Sequence, residues 1–143
     1  MEYEILAPTA DLVRWSSGGI AGPVWLDSEG RCFPEENWSD LSVAVVRGFV
    51  HFTRELIGAK AGERRDVNFF DGPFFVTLAK VEDDRIECST NGGGRVADWT
   101  ATMPLTEWRE SPWSEAQGLL DACLAHGWSS PDLHALATLL SRD

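Results

Sequence analysis

The chain has 143 residues, 43% of them hydrophobic and 24% charged, which is the size and balance of one ordinary globular domain and sets aside disordered and fibrous classes. Its formal charge is −11, from 23 acidic against 12 basic side chains, and both halves are acidic. Nucleic-acid binding rests on neutralising phosphates with Lys and Arg, and no basic patch or arm exists here, so neither a nucleic acid nor an anionic membrane is an expected partner; the same field speeds encounter with a basic protein.

Residues 2–7 alternate Glu2 and Glu4 with Tyr3 and Ile5 before Pro8, the pattern of an edge strand. This opening lacks the basic and apolar regions of a signal peptide. No run nears the ~18 apolar residues of a membrane span, so a cytoplasmic protein is expected. A loop around Ser16–Gly19 follows. Val24–Leu26 and Arg31–Phe33 then flank Asp27-Ser28-Glu29-Gly30 as a hairpin.

From Asn37 the spacing becomes helical, with Leu41, Val45, Phe52 and Leu56 on one stripe and Val46, Val50 and Ile57 beside it. Asn37 is read as the cap and Asp40 as a first-turn acid facing the positive end of the helix dipole. Gly48 costs about 1 kcal/mol against Ala inside a helix, which implies close approach of another element. Val67–Phe70, Phe74–Val81, Arg85–Thr90 and Arg95–Met103 read as an antiparallel meander, joined by the turn sequences Asp71-Gly72-Pro73, Glu82-Asp83-Asp84 and Asn91-Gly92-Gly93-Gly94. Ser111-Pro112 and Ser130-Pro131 each read as a cap followed by a proline in the first turn, opening two further helices. With no linker or repeat, residues 1–143 form one α+β domain: an antiparallel, meander-rich sheet with a long central helix packed on one face and two shorter C-terminal helices.

The chemistry-bearing residues are few. Glu35, Glu36 and Asp40 lie close enough to suggest an acid and base pair, but nothing sets them in contrasting environments, and capping and solvation account for them. Cys123, His126 and His134 can be drawn as a metal site, yet the paired-ligand spacings of zinc sites are missing and Cys123 falls on an apolar stripe. Three widely spaced cysteines suit reduced thiols. Asn91–Gly94 runs into a strand pattern instead of the helix that a phosphate loop requires. No catalytic residue, metal ligand or cofactor is assigned.

The seven tryptophans leave two readings open. Trp25, Trp99 and Trp113 have core spacing, whereas Trp15, Trp38, Trp108 and Trp128 sit at element ends, as caps of the core or as anchors for a cationic partner.

The stretch Phe33-Pro34-Glu35-Glu36-Asn37-Trp38-Ser39-Asp40, a long apolar helix, and Asn68-Phe69-Phe70-Asp71-Gly72-Pro73-Phe74 together resemble a pattern in small uncharacterised bacterial proteins, some of them similar to immunity proteins of polymorphic toxin systems. The likeness spans residues 24–80. It implies a small cytoplasmic protein that binds and neutralises a cognate toxin, and the acidity of the chain agrees with a basic target. The expected function is therefore a non-enzymatic, acidic protein-binding module, which the resemblance implies to be such an inhibitor, with Glu35, Glu36, Trp38, Asp40 and Asp71 as its contact residues. The alternative is a small-ligand-binding or enzymatic domain with a site between helix and sheet, lined by Trp25, His51 and Trp99.

Overall fold

The computed structural model describes residues 2–142. Ten strands and four helices follow in the order β1 (Glu4–Leu6), β2 (Val13–Arg14), β3 (Ile20–Pro23), β4 (Trp25–Ser28), β5 (Arg31–Phe33), β6 (Ser39–Asp40), α1 (Ser42–Ile57), β7 (Arg64–Asn68), β8 (Phe75–Glu82), β9 (Arg85–Asn91), β10 (Thr100–Pro104), α2 (Leu105–Trp108), α3 (Glu110–Ala125) and α4 (Pro131–Leu140). The fold class is α+β, as the sequence predicts.

Three antiparallel sheets are formed, in the orders β1-β4-β5, β2-β3-β6 and β10-β9-β8-β7. The last is the predicted meander. Val76, Leu78, Ile86, Cys88, Ala101 and Met103 point into the core, so the period-2 pattern fixed its register. The fourth strand starts at Thr100, later than its alternation suggests, because Gly92–Asp98 forms a turn closed by Gly92 N donating to Asp98 Oδ1 (2.7 Å). The β4–β5 hairpin is tight, with Glu29 and Gly30 both at positive φ (53° and 85°), the requirement of a two-residue turn whose twist matches its strands.

α1 packs against β7 and β8 and also meets β3, α3 and α4. Val43, Val45, Val46, Phe49, Val50 and Leu56 are buried along it. Burial of such side chains stabilises by roughly 1.5–3 kcal/mol each, which outweighs the ~1 kcal/mol of a helix cap and explains how α1 forms without a capping side chain. The predicted Asn37 cap is thus incorrect. Asn37 lies in a turn at φ 58°, and α1 begins five residues later. Gly48 fits its expected role, since a Cβ there would stand 3.1 Å from Val67 Cγ1.

At the other end of α1, Lys80 is only 5% exposed, and its ammonium donates to Ile57 O (3.0 Å) and Ala59 O (2.8 Å). A buried cation thereby meets the negative end of the helix dipole. Of the closing helices, α4 is shorter than α1, whereas α3 equals it at 16 residues. α3 starts at Glu110, directly after α2, so Ser111 is not its cap. Ser130 does cap α4, accepting from Leu133 N at 3.1 Å with Pro131 in the first turn. No described helix is long and apolar enough to cross a membrane.

Candidate functional site: an acidic groove and a pinned aromatic turn

Two surface regions gather acidic side chains from separate parts of the chain. The first contains the contact residues expected from sequence, and its organiser is Asp40. Asp40 ends β6 and is 6% exposed. Its Oδ1 accepts from Leu41 N (2.7 Å) and its Oδ2 from Trp38 Nε1 (3.0 Å) and Asp71 N (3.1 Å). Phe70 N approaches both oxygens, at 3.2 and 3.1 Å.

One carboxylate therefore joins β6 to a turn thirty residues away, and the fold brings Trp38, Asp40 and Asp71 together. Glu35 joins through its carbonyl, which accepts from Trp38 N at 3.2 Å, and Glu36 is its neighbour. The five do not share one exposure. Glu35, Glu36 and Asp71 are exposed, whereas Trp38 is half-buried with its ring edge-on to Phe74 at 5.1 Å. Asp40 turns inward, so it supports this surface without presenting a carboxylate to a partner.

The second region was not legible as a site in the sequence. β1 is the edge of its sheet, and the amides of Ile5 within it and of Ala7 just past its end donate to Ser111 Oγ (3.0 Å) and Glu115 Oε1 (2.9 Å) of α3. Side chains from 106 and 108 residues away thus cover an edge that would otherwise invite pairing with another chain. Between this edge and the helices lies an open groove of about 980 Å³. Glu2, Glu4, Asp27 and Glu29 line it from the strand side, and Glu107, Glu110 and Glu115 from α2 and α3; among the described residues no Lys, Arg or His borders it.

Seven of the chain's 23 acidic residues thus meet in one concavity, which focuses the negative field there. The sequence carried half of this signal. Glu107, Glu110, Ser111, Ser114 and Glu115 recur at helical spacing and mark one polar stripe, while Glu2 and Glu4 mark the outer face of a strand. Their meeting across the groove is a tertiary fact.

The remaining titrating groups serve the interior. Burial pushes Tyr3 well above its usual range, with the nearby Cys88 and Glu87 adding to the effect, and its hydroxyl donates to Ile86 O (3.0 Å). Burial likewise raises the Cys88 and Cys123 thiols, and all three cysteines are free. Cys32 is raised by burial first and then by its hydrogen bond to Asp27 Oδ1 (3.4 Å), which keeps it in the weakly nucleophilic thiol form.

Among the described residues no group of three His, Cys, Asp or Glu side chains is arranged to hold a metal ion. His126 instead stacks on Trp128 with ring centroids 4.3 Å apart.

Between α1 and the sheet, where the alternative reading places a site, Phe49, Val50, Val67 and Val76 are buried in one apolar core cluster. Trp25 and Trp99 are buried, Trp99 under the Arg31 guanidinium at 5.3 Å, whereas His51 lies at the surface 3.4 Å from Glu55. None of the three borders the acidic groove. Of the four tryptophans at element ends, Trp108 is fully buried and donates to Thr53 Oγ1 (2.9 Å), Trp38 and Trp128 pack partly against the core, and Trp15 is 50% exposed. Comparison with protein-family models, curated proteins and solved structures yields no match.

Proposed function

We propose that this chain is a non-enzymatic binding module that takes a basic segment of a protein partner into its acidic groove, and that it acts as an inhibitor of the immunity type against a basic toxin domain. The observation that carries the reading is the convergence of seven carboxylates, with no Lys, Arg or His among the described lining residues, on one open concavity of about 980 Å³. Like charges held together disfavour the free protein and are relieved when a cationic surface arrives. A groove of this kind steers and orients a partner.

The closed interface between α1 and the sheet speaks in the same direction. A small-molecule site is ordinarily a mostly apolar cavity with a few convergent polar groups, and this groove is instead open and densely acidic. The exposed Glu35, Glu36 and Asp71 extend the acidic character to a second surface.

Co-purification from the native host, read together with the neighbouring genes, tests the function. Recovery of a basic toxin domain in a complex that weakens with salt is the expected result. A bound metabolite with no protein partner would overturn it. Replacing Glu4, Glu107 and Glu110 together with Lys is expected to slow association at least tenfold at low salt, with a smaller effect on dissociation.

A further inference from the structure

The turn from Phe69 to Phe74 combines rigidity with an outward aromatic in a way its fold does not require. Phe69 and Phe74 are buried, and their backbones close the turn through Phe69 N donating to Phe74 O at 3.0 Å. Gly72 sits at φ 88° over the Phe74 ring, where a Cβ would come within 2.9 Å of it. The buried Asp40 carboxylate holds the amides of Phe70 and Asp71. Every backbone anchor of this turn is internal, yet Phe70 itself is 58% exposed. A polar residue would serve the turn equally well, and a large apolar side chain on a pre-ordered segment loses little entropy when a partner covers it.

The charge around Phe70 selects the partner. Glu35, Glu36 and Asp71 are exposed on the segments that Asp40 joins, and residues 33–46 and 66–79 contain no Lys or Arg; the sheet that holds Asp40 contributes one cation, the exposed Arg14 on β2, two strands from β6. The adjoining turn, which approaches Pro73 at Gly93, carries both Arg95 and Asp98, whose charges offset each other. An aromatic face among carboxylates matches a guanidinium better than an ammonium, because the planar cation stacks on the ring while its N–H groups pair with carboxylate oxygens.

We infer that Phe70, with Asp71 beside it and Glu35 and Glu36 on the segment that Asp40 ties to this turn, forms a pre-ordered recognition surface for an arginine side chain displayed by a protein partner. This surface is separate from the groove, and its use does not depend on the groove being filled.

The experiment is a titration of the ¹⁵N-labelled full chain, at low salt, with a short capped peptide carrying two arginines, alongside its lysine and citrulline counterparts. The arginine peptide is expected to shift the Phe70 and Asp71 amides in a saturable way, with lysine weaker and the uncharged citrulline inert. Phe70→Ala should weaken this about tenfold, and Phe70→Leu, which keeps an apolar side chain and removes the π face, about three- to fivefold, in line with an exposed cation–π contact. Thermal unfolding of both variants should match the parent, since the ring is mostly in solvent. Shifts confined to Glu4, Glu107 and Glu110 would overturn the aromatic surface and leave the groove standing. Shifts at Phe70 and Asp71 that survive Phe70→Ala unchanged would also overturn it, and no shifts anywhere would remove both.

Discussion

Removing the Asp40 carboxylate puts a magnitude on the link between β6 and the Phe70 turn. In Asp40→Ala four donors lose their acceptor: Trp38 Nε1 and the amides of Leu41, Phe70 and Asp71. A hydrogen bond to a charged group contributes about 1.5–3 kcal/mol, but the two turn amides recover part of this once water reaches them. Assigning roughly 1.5 kcal/mol to each of the two inner donors and roughly 0.5 to each turn amide gives a loss of about 4 kcal/mol, a large share of a typical domain's stability.

Asp40→Asn discriminates geometry from simple deletion. With its carbonyl in the place of Oδ2, the amide still accepts from Trp38, Phe70 and Asp71, while its NH₂ faces the Leu41 amide and the longer, 3.2 Å approach of Phe70 N, for a loss of about 2 kcal/mol. Urea unfolding reads both. With a slope near 2 kcal/mol per molar, the alanine variant should unfold about 2 M earlier and the asparagine variant about 1 M earlier. Hydrogen exchange at Phe70 and Asp71 should accelerate in the alanine variant. An alanine midpoint within about 0.3 M of the parent, equivalent to about 0.6 kcal/mol at this slope, would refute the clamp.

Lys80→Met keeps the stem of the side chain and removes two bonds to the carbonyls at the end of α1; a loss of about 2 kcal/mol is expected by urea unfolding, and an unchanged midpoint would show the ammonium to be dispensable. The raised Cys88 pKa has a definite sign: the folded state keeps the proton that the unfolded thiol gives up above its usual 9.0, so this contribution is intact below pH 9.0 and is lost as pH rises. Stability should therefore fall by about 1.4 kcal/mol per pH unit from this group above that point, and Cys88→Ala should show a shallower alkaline decline than the parent in urea melts across pH 8–11. Trp108→Phe deletes the indole donor to Thr53 and leaves its hydroxyl buried, for an expected loss of about 2 kcal/mol by the same melts. Glu4→Gln, Glu107→Gln and Glu110→Gln combined should leave thermal stability equal or raised by about 0.5 kcal/mol, since like charges in the groove oppose one another, and a clear loss would mean that they hold the fold instead.

The sequence by itself determined the class of fold and most of its elements, because periodicity and turn chemistry are local. Ile86, Cys88 and Thr90 alternate with the polar Arg85, Glu87 and Ser89 wherever the chain is placed, Glu29-Gly30 supplies the positive φ of its own two-residue turn, and Ser130-Pro131 caps a helix with its own atoms. The start of α1 was misread for the same reason in reverse. Asn37 and Asp40 have capping chemistry, but long-range packing of Val45, Val46 and Phe49 sets where the helix begins and frees Asp40 for donors thirty residues on. Ser111 likewise has a cap's sequence, and its hydroxyl goes to Ile5 N across 106 residues. Only the tertiary structure decided the candidate sites: the side chain of Asp40 is carried inward while Glu35, Glu36 and Asp71 stay outside, and two acidic stripes that are unremarkable apart become one groove when β1 docks on α3. Hydrogen bonds and charges act through space, and a local pattern does not encode which distant residue will supply the other half.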